Sequence, residues 1–462
     1  MSGLTANLNV SVQSLLVSTE SMDVTTTNIA NVNTSGYARR RVNLEESSTS
    51  GDGATTGVQV SDIQSLRDSV LELSINNATS QQNQSSTLES ALGDVELSFS
   101  DTATGSIGSS IDSFFSALQG LSTSPTDSSL RTTALTAASS VASAFQTTAS
   151  LITNTQSQLD QSVVQDTDNV NSLLQQIAST NSSISTATAL GQSDNSEEDQ
   201  LSSLLSQLSG LINFNTVHGS DGLTLTTTNG TPLVVGSKAY AVTNQLNSSG
   251  YNDVYAGGVD ITSGITGGDL GGYLEARDSV LSTMSTQLDQ FAYQFAKAVN
   301  DVQTAGDDAN GNTGTAFFNP PDTTSGSATG AASDISVDLT SGSQIAAAAT
   351  GGASGDSSNL TNMIDLQNQD IINGETPDSA FSDMTFSIGN TISQAKTNAT
   401  AVGNIITQLQ NQQSSVSGVS VDEESANLVL YQRAFQAAAK VISTIDTLMG
   451  NLLDMGATNP GY

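Results

Sequence analysis

Toward its C-terminus the chain carries a 3-4-3-4 run of apolar side chains without a polar interruption: Leu428, Tyr431, Phe435, Ala438, Ile442, Ile445, Met449 and Leu452. On a 3.6-residue helix that spacing puts every one of them along a single narrow seam, the surface that a coiled-coil partner covers. At 1.5 Å per residue, a helix from about Val421 to Met455 is roughly 50 Å long. Asp422, Glu423 and Glu424 crowd its first turn, where the helix dipole favours negative charge. Near the other end Leu8, Leu15, Met22 and Ile29 recur every seven residues, with Val12, Thr19 and Thr26 in the intervening positions. That stripe is weaker. Two matching seams at opposite ends predict a paired helical stem built from residues 1–60 and 400–462.

Between the ends the periodicity changes twice. Leu66 to Phe99, Ile111 to Leu121, Leu130 to Ile152, Leu159 to Ile184 and Leu201 to Ile212 all keep helical spacing, broken by SPTDSS around Pro125 and by GQSDNSEED at 191–199. From Phe214 to Ile261 the residues alternate or come in β-branched bursts, and Asn229-Gly230 suits a two-residue hairpin turn. Helical spacing returns from Gly267 to Asn300 and again from about Thr376. Short strands are expected at TAFF and DISVDL within the Gly/Thr/Ser-rich stretch. The expected fold class is mainly α with an inserted β domain: a terminal stem, a helical core domain (61–212, 266–305 and 345–399), a small β domain at 213–265, and an extended or short-strand segment at 306–344.

Charge narrows the function. Lys plus Arg total 11 against 45 Asp plus Glu, a net charge of −34, so the surface repels phosphate backbones and anionic headgroups. Nucleic acid and membrane insertion are therefore excluded as expectations, and no apolar run approaches the roughly 20 residues that span a bilayer. With no cysteine there is no thiol catalysis, disulfide or thiolate metal site. The sole histidine, His218, lacks a recognisable catalytic partner. DDANGNTG at 307–314 has the flavour of a calcium loop, but with Gly311 as the frame's glycine, position 1 falls on Gly306, so a tight turn is the better reading. The Gly267-Gly268 and Gly271-Gly272 pairs lack a nucleotide-binding context. No catalytic residue, metal site or cofactor is expected, and the chain reads as a non-enzyme. MSGLTANLNVSVQS has neither a basic n-region nor an apolar h-region, so no cleaved signal peptide is expected. Arg39, Arg40 and Arg41 are a concentration of scarce positive charge, either a solvated turn or an interface that pairs with carboxylates.

NIANVNTSGYARRRV at 28–42 resembles the N-terminal signature of the bacterial flagellar axial proteins. The Gly-Tyr followed by Arg39 and Arg41, FFSALQGLSTSPTDSSLRTTAL at 114–135, GGDLGGYLEARD at 267–278, LDQFAYQFAKAVN at 288–300 and SGVSVDEESANLVLYQRAFQAAAKVISTIDTLMGNLL at 417–453 are together similar to the hook-associated protein 1 family, the first hook–filament junction proteins. Two departures stand out: Arg40 replaces a common glutamine, and Asp199-Gln200 is followed by Leu201-Ser202 where the family usually continues with Arg-Asp. The resemblance implies a structural role in a homo-oligomeric ring of the extracellular flagellum. Its implied neighbours are hook protein on one side and the second junction protein on the other. It further implies secretion unfolded through the flagellar type III apparatus, with an export chaperone covering the C-terminal helix. Arg39 and Arg41 are the candidates for a charged interface. Hook protein or flagellin, and a secreted adhesin, stay open as alternatives.

Overall fold

The computed structural model describes residues 2–34, 36–48, 55–99, 105–190, 194–219, 222–319 and 328–457. Parts of every expected segment therefore lie outside the described residues: 1, 35, 49–54 and 458–462 of the stem, 100–104 and 191–193 of the helical core domain, 220–221 of the β domain, and 320–327 of the extended stretch. The chain divides into two compact units. One gathers residues 1–79, 170–242 and 402–462; the other takes 80–169 and 243–401.

The unit that carries both termini begins with α1 (Ser2–Ala30) and ends with α11 (Val421–Ala457). Between Ala30 and residue 66 the stem expectation gives way to a hairpin of β1 (Arg40–Ser48) and β2 (Thr55–Ser65), antiparallel with Arg40 opposite Ser65. The alternation Val42, Leu44 and then Val58, Val60, Ile63 explains the strands, with irregular register at Asn43/Leu44. Next come the start of α2 (Ser69–Ser98) and the end of α4 (Ser128–Ala189). α5 (Asn195–Leu211) starts inside the expected 191–199 loop, because Asp194 caps it by accepting from the Glu197 amide. A four-stranded antiparallel sheet follows in the order β3 (Asn215–Gly219), β4 (Gly222–Thr226), β5 (Pro232–Val235), β6 (Lys238–Ala239).

The other unit holds α3 (Ile107–Thr123), the first two-thirds of α4, and a sheet in the order β7 (Val242–Leu246), β8 (Asn252–Ala256), β9 (Val259–Asp260). It continues through α6 (Gly268–Leu274), a π-helical turn at Glu275–Val280, and α7 (Leu281–Gln303). The expected strands at TAFF and DISVDL are reduced to one bridge between Phe318 and Val337. The only paired strands nearby among the described residues are β10 (Gly306–Asp307) and β11 (Ala348–Ala349). α8 (Ala331–Asp334), α9 (Ser358–Asp365) and most of α10 (Pro377–Ser417) complete it.

Two further boundaries differ from the sequence expectation. Residues 130–152 and 159–184 are one helix of 62 residues, since the intervening TNTQSQ contains no Gly or Pro to break it. The expected 213–265 β domain is two sheets, each fastened to a different part of α4. Asn181 donates to the Leu223 and Gly236 carbonyls at 2.6 and 2.9 Å, while Asp160 accepts from the Asn252 amide at 2.7 Å. The β segment thus splits at Val242, and its first half joins the terminal unit.

Candidate functional site

α1 and α11 pack along each other. On α11, Ala438 and Ile445 are buried, Ile445 to 5% exposure, while Leu428, Tyr431, Phe435, Ile442 and Met449 are half-buried; only Leu452 is left exposed at 44%. On α1, Leu8, Leu15, Met22 and Ile29 are half-buried as the heptad spacing requires. The positions between them are not those the sequence suggested. Val12, Thr19 and Thr26 face solvent, and Ser11, Ser18 and Thr25 are buried instead. The Ser11 and Ser18 hydroxyls donate to the carbonyls four residues earlier, at 2.8 and 2.7 Å. That bond leaves these small side chains satisfied where they are buried.

At the base of the pair the chain assembles a polar node from segments far apart in sequence. Asn28, 1% exposed, is its centre. Its Nδ2 donates to the Arg40 carbonyl (2.9 Å) and to Glu424 Oε2 (3.3 Å), and its Oδ1 accepts from the Arg40 amide (2.9 Å) and the Tyr37 hydroxyl (2.7 Å). Arg39 Nε donates to Glu424 Oε1 at 2.7 Å and its Nη1 to Glu423 Oε2 at 3.0 Å, while its amide donates to the Ser417 carbonyl. The turn that aims these groups needs Gly36, whose φ of +80° disfavours a side chain even though an added Cβ would meet Asp199 and Ser203 only at ordinary contact distance. Burial pushes the Tyr37 hydroxyl up in pKa, against the lowering effect of the Arg40 guanidinium that lies over its ring.

Of the two arginines singled out from the sequence, the fold brings Arg39 to α11. Arg41 stays exposed on β1, where it donates to Asn43. Sequence reasoning missed the second half of the node. Arg40 donates to Asp199 at 2.8 Å, and Arg67 donates to Asp199 at 2.5 Å, to Glu72, and to the Gly36 carbonyl. The signal was present in the two departures: the extra positive charge at Arg40 and the carboxylate of Asp199, which lacks a following arginine, satisfy each other. Glu198, alongside, is pushed up in pKa by burial, with Arg67 pulling the other way.

The other distinctive segments are structural. In the second unit Arg131 donates to the carbonyls of Pro125, Gly342 and Ile345, so the SPTDSSLR turn is tied from within, and burial lowers the guanidinium's pKa. Gly272 packs so closely on α2 that a Cβ would meet the Gln84 carbonyl and Thr87 at 2.7 Å. His218 is exposed on β3 opposite Leu223. Asp308 Oδ1 accepts from the Asn310 and Asn312 amides, a local turn. Among the described residues no cluster of three His, Cys, Asp or Glu is placed to hold a metal, and no helix is long and apolar enough to cross a membrane. The arrangement can bind helix to helix; it has no constellation for chemistry.

Comparison with known proteins agrees with that geometry. Residues 92–318 match the family described as "Flagellar hook-associated protein FlgK helical domain", and 410–455 match the "Flagellar basal body rod FlgEFG protein C-terminal". The chain is 27% identical to flagellar hook-associated protein 1 of Salmonella typhimurium, over 97% of this chain and 99% of that one. It is 27% identical to its counterpart in Escherichia coli, with the same coverage, and 28% identical to that of Bacillus subtilis over 94% of both. The solved flagellar hook junction protein FlgK from Burkholderia pseudomallei shares the fold, with a TM-score of 0.66 at 17% identity, covering 75% of this chain and all of that one. Along nearly its whole length the chain therefore matches the flagellar hook-associated protein 1 family, whose members are structural proteins of the bacterial flagellum and not enzymes.

Proposed function

We propose that the chain builds a homo-oligomeric ring between hook and filament, meeting hook protein on one side and the second junction protein on the other. It is exported unfolded through the flagellar type III apparatus and resides in the extracellular flagellum. A chaperone covers α11 before export, because an apolar seam exposed in the cytoplasm invites premature association. The terminal stem of residues 1–60 and 400–462 is the assembly element, with Leu8, Leu15, Met22 and Ile29 facing Leu428, Tyr431, Phe435, Ile442, Ile445, Met449 and Leu452.

One observation carries this reading. After α1 and α11 have covered each other, α11 still exposes Leu430, Val441, Leu448 and Leu453. Leu430, Val441 and Leu448 fall on one side of the helix, beside the covered seam, so the paired helices keep an apolar flank for neighbours. Two substitutions separate the layers. Ile445→Asp places a carboxylate inside the intrachain pair and should loosen both the monomer's stem and the ring. Val441→Asp sits on the exposed flank and should leave the monomer's melting unchanged while abolishing the junction, with filament subunits leaking into the medium. Thr447→Asp, on the polar side with Arg433, Gln436, Lys440 and Ser443, should be tolerated. Normal filaments from cells carrying Val441→Asp would overturn the proposal.

A further inference from the structure

In the second unit one aromatic ring stands apart from all the others. Phe386, on α10, is 73% exposed, whereas Phe381 on the same helix is buried. A single exposed apolar side chain needs no explanation. Phe386, however, lines a surface cleft of about 520 Å³ whose walls are polar and apolar in similar measure. Phe291 of α7, Ile372 and Met384 make its floor and are themselves 1, 2 and 8% exposed. Since those three are already nearly covered, the Phe386 ring itself supplies most of the apolar surface the cleft offers an occupant.

The wall opposite α10 is preorganised. Ile372 and Glu375 exchange both backbone hydrogen bonds across a two-residue turn, at 3.0 and 2.9 Å. Its central residues, Asn373 and Gly374, have φ of 52° and 88°. Asn373 is the one non-glycine residue at positive φ among the described residues, the conformation this tight turn demands. The turn is pinned to α7 by a reciprocal pair: the Asn373 amide donates to Gln294 Oε1 at 2.6 Å, and Gln294 Nε2 donates to Asn373 Oδ1 at 2.8 Å. A wall held in this way loses little freedom when something docks against it.

Charge identifies the occupant. The cleft's lining includes the carboxylates of Glu375 and Asp383 and no Lys or Arg. Two carboxylates without a neighbouring cation repel an anionic lipid surface and favour a cationic segment of a partner. We infer that the Phe386 cleft is a docking site for a partner polypeptide presenting a bulky apolar side chain flanked by lysines or arginines. The apolar group sits on Phe291, Ile372 and Met384 beneath the Phe386 ring, and the flanking cations face Glu375 and Asp383. Complementary rim charge supplies specificity and encounter rate, and the buried apolar anchor holds the complex.

The test uses the full-length chain and a fluorescein-labelled peptide of sequence GKRLFRKG, titrated by anisotropy at about 0.15 M salt so that long-range attraction is screened. Saturable binding is expected. It should weaken by at least about tenfold with Phe386→Ser, as removal of a central anchor does. Asp383→Lys should weaken it too, and so should replacing the peptide's Leu and Phe by Ser. Equal affinity for the parent chain and Phe386→Ser would mean that basic charge alone is being captured, and would overturn the proposal. So would no binding to the parent. Phe386 and Asp383 are both exposed, so unchanged melting is expected for either variant. If Phe386→Ser melts lower, Asp383→Lys together with the Ser-substituted peptide decides the matter.

Discussion

Phe114 meets Phe115, Phe295, Phe317 and Phe318 with ring centroids 5.5 to 6.2 Å apart, and Phe145 adds an edge contact to Phe291 at 5.3 Å. That cluster is the centre of the unit formed by residues 80–169 and 243–401. The unit carrying the termini has no such cluster. Phe214 is its one buried phenylalanine among the described residues, and between α1 and α11 the buried positions include Ser11, Ser18 and Thr25. Its most connected buried side chain is an asparagine. The contrast teaches how the two regions are specified. An aromatic core is held by area and is tolerant of direction, while a thin helix pair with small residues at its interface depends on a directional polar node to fix its register.

The largest effect expected from that contrast is Phe114→Ala. It removes a fully buried ring and its partners together, and should lower the stability of the aromatic unit by about 3–5 kcal/mol. Thermal unfolding followed by hydrogen exchange should show protection lost across α3 and α7. An equal loss of protection in α1 and α11 would mean that the two cores do not behave as separate regions.

How much of this was legible depended on range along the chain. The α11 seam could be read directly because each of its positions is apolar and the signal is local. The α1 seam was half-read: Val12 attracted attention as apolar, but the helix turns its Ser11 and Ser18 side inward, and only the position of α11 determines which side that is. The β1–β2 hairpin was missed although Val42, Leu44, Val58, Val60 and Ile63 hinted at alternation. Arg40 and Asp199 are 159 residues apart, so their pairing leaves no local trace. The same distance obscured the division of the β segment, which is set by where Asp160 and Asn181 fall on a helix that the sequence appeared to interrupt.

A smaller effect isolates the node. Glu424 and Glu423 both accept from Arg39, but their side chains are 3% and 64% exposed. Glu424→Ala leaves Arg39 Nε and one of the two N–H groups of the buried Asn28 amide without an acceptor, so the terminal unit should lose about 2–3 kcal/mol. Glu423→Ala removes a solvated ion pair and should fall within about 1 kcal/mol of the parent. The pair of variants, measured by urea unfolding at fixed salt, tests whether the node or merely net charge aligns α11. Equal losses would favour net charge.

The smallest effect has the opposite sign. Burial raises the pKa of Glu198, and Asp199, Asp194 and Asp62 add to the rise, while Arg67 opposes it. A carboxyl whose pKa is higher folded than unfolded favours the fold in its protonated form. Its contribution is fully present below the unfolded pKa and is lost as pH rises through the folded value. At neutral pH the ionised Glu198 therefore works against the terminal unit. Glu198→Gln keeps the shape, removes the charge, and should raise the melting temperature at pH 7 by a small increment. That increment should shrink as the pH is lowered through the carboxylate range, because the parent side chain is then neutral as well. Phe114→Ala should show no such dependence on pH, since nothing in the aromatic cluster titrates. A Gln variant that melts lower at pH 7 would mean that the attraction of Arg67 outweighs burial, and that the node extends through Glu198 instead of ending at Asp199.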